Sequence, residues 1–202
     1  MSEKLYLYPV WTRIWHWTNA LLFILLILTG LSMQYVGMKN IFMRFDLAVS
    51  LHNIGGVVLT LAFLYFVIAN LITKNQKYYS CHISGCVLRA RKQLMYYLFG
   101  VFKKEEAPFP INKDRKFNPL QKVTYVAAMY ILMPILIISG LALLYPEVII
   151  FNIFGISGIH LTDLVHVSSG FLLSIFMIIH IYFCTFGKTA FSNFKGMING
   201  YH

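Results

Sequence analysis

The sequence predicts an all-α membrane protein, a four-transmembrane-helix bundle with an amphipathic cytoplasmic segment between helices 2 and 3. Three observations predict it. Of 202 residues 58% are hydrophobic and only 12% charged, where a soluble domain carries about a quarter charged. The mean hydropathy is +0.67. Four stretches, 14–38, 47–73, 123–146 and 164–187, contain no Asp, Glu, Lys or Arg. Each exceeds the roughly 20 residues that a helix needs to cross about 30 Å of hydrocarbon. Disordered, coiled-coil and disulfide-dense secreted classes are excluded by the same numbers. With no internal repeat, residues 1–202 read as a single membrane domain.

The first span is no signal peptide: Trp15-His16-Trp17 precedes its apolar run, and no small-residue cleavage site follows. Between the second and third spans the chain is strongly basic. Of 17 Lys and Arg, 11 fall from Lys74 to Lys122, against Glu105, Glu106 and Asp114. The connection from Val148 to Thr162 has no basic residue. A net charge of +10 concentrated in this way marks membrane orientation and does not point to nucleic acid. Both termini and residues 74–122 are expected in the cytoplasm, with 38–46 and 147–163 on the outer side of a bacterial inner membrane. Arg89 to Phe102 mixes cations with Leu, Tyr and Phe, which suits a helix lying on anionic lipid. Pro108, Pro110 and Pro119 interrupt the path to the third span. Asn152–Gly158 reads as a turn or a short surface helix.

Four of the seven histidines lie within the apolar spans: His16, His52, His166 and His180. Ionisable groups at such depth are costly and mark function. His166 and His180 are 14 residues apart, so about 1400° of helical rotation leaves them on one face, about 21 Å apart along the axis. The alternating direction of the spans places His16 level with His180 near the inner surface, and His52 level with His166 near the outer one. Two imidazoles facing across a bundle suit a haem iron with two axial ligands. Zinc or copper needs more ligands than either level offers. Two b haems would therefore occupy the pairs His16–His180 and His52–His166. With both axial positions filled, such centres move electrons. Gly30, Gly55, Gly56 and Gly170 are candidate sites of cofactor packing. Arg13, then Lys188, are candidate inner propionate partners; Lys39, Arg44, His160 and Thr162 are outer ones.

The cysteines add little. Cys81 and Cys86 in the inner loop and Cys184 near the inner end of the fourth span predict no disulfide in a reducing compartment. The Cys81-His82…Cys86 spacing lacks a fourth zinc ligand, and without C-x-x-C-H a covalent c-type haem is excluded.

Arg13-Ile14-Trp15-His16-Trp17, His52, and His166…His180-Ile181-Tyr182 resemble the prokaryotic di-haem cytochrome b superfamily. It includes membrane subunits of nickel–iron hydrogenases, the gamma subunit of formate dehydrogenase and the cytochrome b subunit of thiosulfate reductase. The resemblance implies a membrane electron-transfer subunit of an oxidoreductase complex. It would link a periplasmic iron–sulfur, molybdenum, hydrogenase or multihaem partner to the quinone pool. It also implies a quinone site near the inner haem, where Asn19, Asn118, Gln121, Tyr125, Tyr182 and Thr185 lie, any of which could instead cap a helix. The rival readings are a stand-alone enzyme oxidising a small reductant such as superoxide and reducing quinone, and a haem-free anchor or transporter.

Overall fold

The computed structural model describes residues 5–35, 42–79, 85–110, 112, 115–186 and 191–201. Four helices in it are long and apolar enough to cross a membrane: Val10–Gln34, Phe45–Ile72, Pro119–Leu144 and Gly158–Cys184. Each begins before the charge-free stretch read from the sequence and ends short of its last residue. Arg13, Asp46, Lys122 and Asp163 are helical, because a helix continues through charged residues that sit near its ends and reach the interface. Asp46, in the first turn of its helix, also faces the positive end of the dipole.

Helix α1 (Val10–Gln34) begins immediately after Pro9 and pairs closely with α2 (Phe45–Ile72), where Gly55 lies against Leu26. The third span is composite. Helix α4 (Pro119–Val126) opens with a capping box: Asn118 accepts from the Gln121 amide at 2.8 Å, and the Gln121 side chain accepts from the Asn118 amide at 3.2 Å. Pro119 takes the first helical position, where its missing N–H is no loss. A π-helical stretch, Ala127–Leu132, leads into α5 (Met133–Leu144). Pro134 lacks an amide and would crowd the carbonyl of Tyr130, so the widened turn falls where an α ladder cannot close. This span packs closely against α6 (Gly158–Cys184), and the two hairpins meet where α2 touches α5.

Asn152–Ile153 and Ile156–Ser157 form a small antiparallel hairpin, β1 and β2. Its corner residues Phe154 and Gly155 have φ of 52° and 80°, the type I′ geometry that a two-residue hairpin favours and that glycine enters freely. The turn expected there is present; the surface helix is not. Helix α3 (Cys86–Met95), continued by a π turn over Tyr96–Gly100, covers most of the segment expected to be amphipathic and packs on α4.

A short helix α7 (Ser192–Asn199), not anticipated from the sequence, closes the end of the bundle where α1 begins and α6 stops. Leu7 and Tyr8 donate to the Gly200 carbonyl at 3.0 and 3.2 Å, and the Trp17 indole donates to Met197 at 3.1 Å. One expectation fails. Cys86 is disulfide-bonded, whereas Cys184 is free; Cys81 lies outside the described residues. The buried core is thin. Leu59, Phe66, Met133 and Leu173 line its axis, while many large apolar side chains on all four spans face outward, as lipid requires.

Candidate cofactor site

The structure brings the four intramembrane histidines together in the two expected pairs. The ring centroids of His16 and His180 lie 6.1 Å apart, and those of His52 and His166 lie 6.2 Å apart. Two imidazoles on one metal, each nitrogen about 2.0 Å from the ion and about 1.1 Å from its own ring centre, have centroids about 6.2 Å apart. Both pairs therefore stand at ligation distance. Among the described residues no three His, Cys, Asp or Glu side chains converge, so a metal held there must bring its remaining ligands with it, as a macrocycle does. Outside the tight hairpins, α1 and α6 scarcely approach each other among the described residues, which leaves the space between them to the facing rings.

At the level of His52 and His166, the expected outer level, hydroxyls fix the imidazoles. Thr29 Oγ1, wholly buried, donates to the Leu25 carbonyl at 2.8 Å and lies 2.9 Å from His52 Nδ1. Ser139 Oγ donates to the Ile135 carbonyl at 2.7 Å and lies 3.2 Å from His166 Nδ1, which is also 3.1 Å from the Leu136 carbonyl. Each hydroxyl proton is already spent on a carbonyl, so toward the imidazole the oxygen offers a lone pair. The carbonyl of Leu136 can only accept. His166 Nδ1 therefore carries the proton, and its Nε2 keeps the free lone pair that ligates a metal; the same tautomer at His52 lets Thr29 keep its carbonyl bond.

The inner level is built differently. His180 Nδ1 is 3.4 Å from the Tyr125 hydroxyl, and the Cys184 thiol lies 3.8 Å from His180 Nε2. His16 Nδ1 is buried without a partner, as are Thr12 Oγ1, Arg13 Nε and Asn19 Oδ1. Thr12, His16 and Asn19 lie along one face of α1, with Arg13 beside them. Buried polar atoms are nearly always bonded, so this concentration points to a polar group that the protein itself does not supply. Donors at Thr12 and Arg13 suit a carboxylate; the acceptor at Asn19 suits a hydroxyl or amide.

Other expectations divide. Arg13 also donates through Nη1 to the Ile198 carbonyl of α7, so α7 shares it with the site. Gly30 faces His52: an added Cβ would lie 3.6 Å from the ring Cε1. Gly170 faces Leu136, and Gly55 lies against Leu26; neither touches an imidazole. Gly56 has open space beside it. Arg44 pairs with Asp46 at 3.0 Å on the surface, Thr162 donates to its own helix at Gly158, and His160 is exposed. Lys39 and Lys188 lie outside the described residues, as does His82. Of the suggested quinone residues, Asn118 and Gln121 cap α4, and Thr185 donates to the Tyr182 carbonyl at the end of α6. Tyr182 is exposed, and only Tyr125 touches a paired histidine.

Three features escaped the sequence reading. Thr29 and Ser139 are two. Gly140 is the third: a Cβ there would stand 2.8 Å from His166 Cε1, so that ring seats against bare backbone. Small residues in the third span were a usable signal, passed over because that span has no histidine. On the inner side Lys116 is only 2% exposed, with Nζ 3.4 Å from Asn75 Oδ1 and facing the rings of Tyr8, Tyr78 and Phe117. Burial lowers its pKa from 10.5 to about 8.

Comparison with known proteins gives the family. The family model of prokaryotic cytochrome b561 matches residues 7–200. The Escherichia coli (strain K12) protein named "Putative cytochrome YdhU" is 40% identical over 201 residues, which is 100% of this chain and 76% of that protein. With its four apolar helices and its paired intramembrane histidines, the chain belongs to the prokaryotic cytochrome b561 family, membrane proteins that carry b-type haem and transfer electrons.

Proposed function

We propose that the chain carries two b haems, one on His16 and His180 and one on His52 and His166. Through them it passes electrons between a periplasmic redox partner and the membrane quinone pool. The observation that carries this reading is the equal ring spacing at two levels, 6.1 and 6.2 Å, separated by about 21 Å along α6. A bound haem supplies a one-electron store at each level. The protein's share is to hold and orient. The four imidazoles meet two by two, the hydroxyls of Thr29 and Ser139 lock the outer rings, and buried Met133 and Leu173 exclude water from the bundle axis.

The inner polar face of α1 supports quinone exchange on the cytoplasmic side. Asn19 Oδ1 needs a donor, which a reduced quinone has in its hydroxyls, and Tyr125 offers a hydroxyl beside His180. The basic 74–122 segment supports cytoplasmic termini in a bacterial inner membrane. The outer connections are short, so oxidation or reduction of a soluble substrate falls to a partner, of iron–sulfur, molybdenum, hydrogenase or multihaem type.

The test is haem stoichiometry and reduced-minus-oxidised spectra of the purified chain and its variants. Two low-spin b haems per polypeptide are expected. His52→Ala and His166→Ala should each remove the same haem; His16→Ala and His180→Ala should each remove the other. Loss of one haem by His52→Ala and of a different one by His166→Ala would refute the pairing. Co-purification with a periplasmic redox subunit tests the partner.

A further inference from the structure

We infer that Thr29 and Ser139 are positioning residues that set the outer haem at a lower reduction potential than the inner one, so that electrons run downhill from the outer face to the inner. This rests on the two-haem reading proposed above. The two levels have the same ligands and nearly the same ring spacing, but they differ behind the rings. At the outer level both Nδ1–H groups donate: His52 to Thr29 at 2.9 Å, and His166 to Ser139 at 3.2 Å and to the Leu136 carbonyl at 3.1 Å. For His166 the Leu136 carbonyl fixes the direction, since a carbonyl only accepts; for His52, donation by Nδ1 leaves the Thr29 hydroxyl its bond to Leu25 or Leu26.

An imidazole whose N–H is drawn toward an acceptor is a more basic ligand at its other nitrogen. A more basic ligand favours the more highly charged, oxidised iron and lowers the potential. At the inner level this push is weaker. His16 Nδ1 has no partner, and His180 Nδ1 has one hydroxyl at 3.4 Å, the edge of bonding distance. The Arg13 cation at the inner level acts in the same sense, since a positive charge favours the reduced iron and raises that potential.

The experiment is spectroelectrochemistry of the purified holoprotein in detergent, with ferric low-spin EPR as a second readout. Wild type should show two midpoints, with the lower belonging to the haem that His52→Ala removes. Thr29→Val, close in shape but without the hydroxyl, should raise that midpoint and shift its EPR signal, leaving the other haem unchanged. Thr29→Ser should restore both values, which a merely structural role for the methyl-bearing side chain would not do. Ser139→Ala should act in the same direction but less, because the Leu136 carbonyl still accepts. It also serves if Thr29→Val assembles poorly. If Thr29→Val and Ser139→Ala keep both haems with both midpoints unmoved, the inference fails and the pairing stands. If the haem shifted by Thr29→Val is not the one lost in His52→Ala, the pairing itself fails, and the inference with it.

Discussion

Gly140→Ala puts the outer site to its most direct geometric test. A Cβ at position 140 would stand 2.8 Å from His166 Cε1 and 3.3 Å from Nδ1. Carbon–carbon contacts settle at about 3.5–4.0 Å, so ring or backbone must yield by about 0.7–1.2 Å. The ring is not free to swing, since Nδ1 is tied to Ser139 and Leu136 on the same helix as the intruding methyl. Metal sites hold ligand distances to within about 0.2 Å. The required movement is several times that, and a pair at 6.2 Å has no slack to absorb it. We therefore expect Gly140→Ala to lose the outer haem and keep the inner one, with a residual spectrum that matches His166→Ala. Pyridine haemochrome content per polypeptide should fall from two to one. Gly56→Ala, where nothing lies within 4 Å, is the control and should retain both. A Gly140→Ala protein with wild-type haem content and both midpoints in place would refute the reasoning.

Removing the α4 cap in Asn118→Ala should cost about 1 kcal/mol, together with the bond that Asn118 Nδ2 donates to the Tyr97 hydroxyl at 2.9 Å; thermal unfolding in detergent should shift down while haem content holds. Lys116 makes stability depend on pH. Its folded pKa of about 8 lies below 10.5, so between these values the unfolded chain binds the extra proton and stability rises with pH. Below pH 8 the full penalty remains, about 3 kcal/mol at 1.36 kcal/mol per unit, offset in part by the three ring faces. Lys116→Met should thus raise Tm at pH 7 and gain progressively less toward pH 10.5, and a gain that grew with pH would contradict the sign. Arg13→Ala should loosen α7, which loses one bond to α1 and keeps those from Trp17, Leu7 and Tyr8, and should speed limited proteolysis of the last residues.

The helices and the histidine pairing were legible because both are periodic. Charge-free length gives spans, alternation of spans gives direction, and a 14-residue spacing on one helix gives two levels on one face. What lies behind the rings was not legible. Thr29 is one of many hydroxyls in apolar helices, and most of those bond to a carbonyl one turn back, as Thr60 does to Gly56. Only the packing of α1 on α2 shows that this one also meets an imidazole. The same holds for Ser139 and Gly140, whose span carries no ligand of its own. Lys116 lies in a basic segment where a solvated role was the natural reading, and its burial depends on Asn75 and on rings from three separate stretches of chain.

The unequal polar satisfaction of the two levels also makes stability depend on which haem is present. At the outer level the protein bonds its own hydroxyls and both Nδ1 atoms. At the inner level Thr12 Oγ1, Arg13 Nε and Asn19 Oδ1 are buried without partners, and each such group costs about 1–3 kcal/mol. The carboxylates of a b haem answer the two donors among them, so binding there contributes polar satisfaction as well as ligation, and anything that binds only the folded state stabilises it. His180→Ala, which empties the inner level, should therefore lower Tm by more than His166→Ala, which empties the outer one. Both variants remove one imidazole from the same helix, so the difference reads the surroundings and not the deletion. Equal losses in Tm, measured at matched residual haem content, would show that the unpartnered atoms of α1 do not face the inner haem.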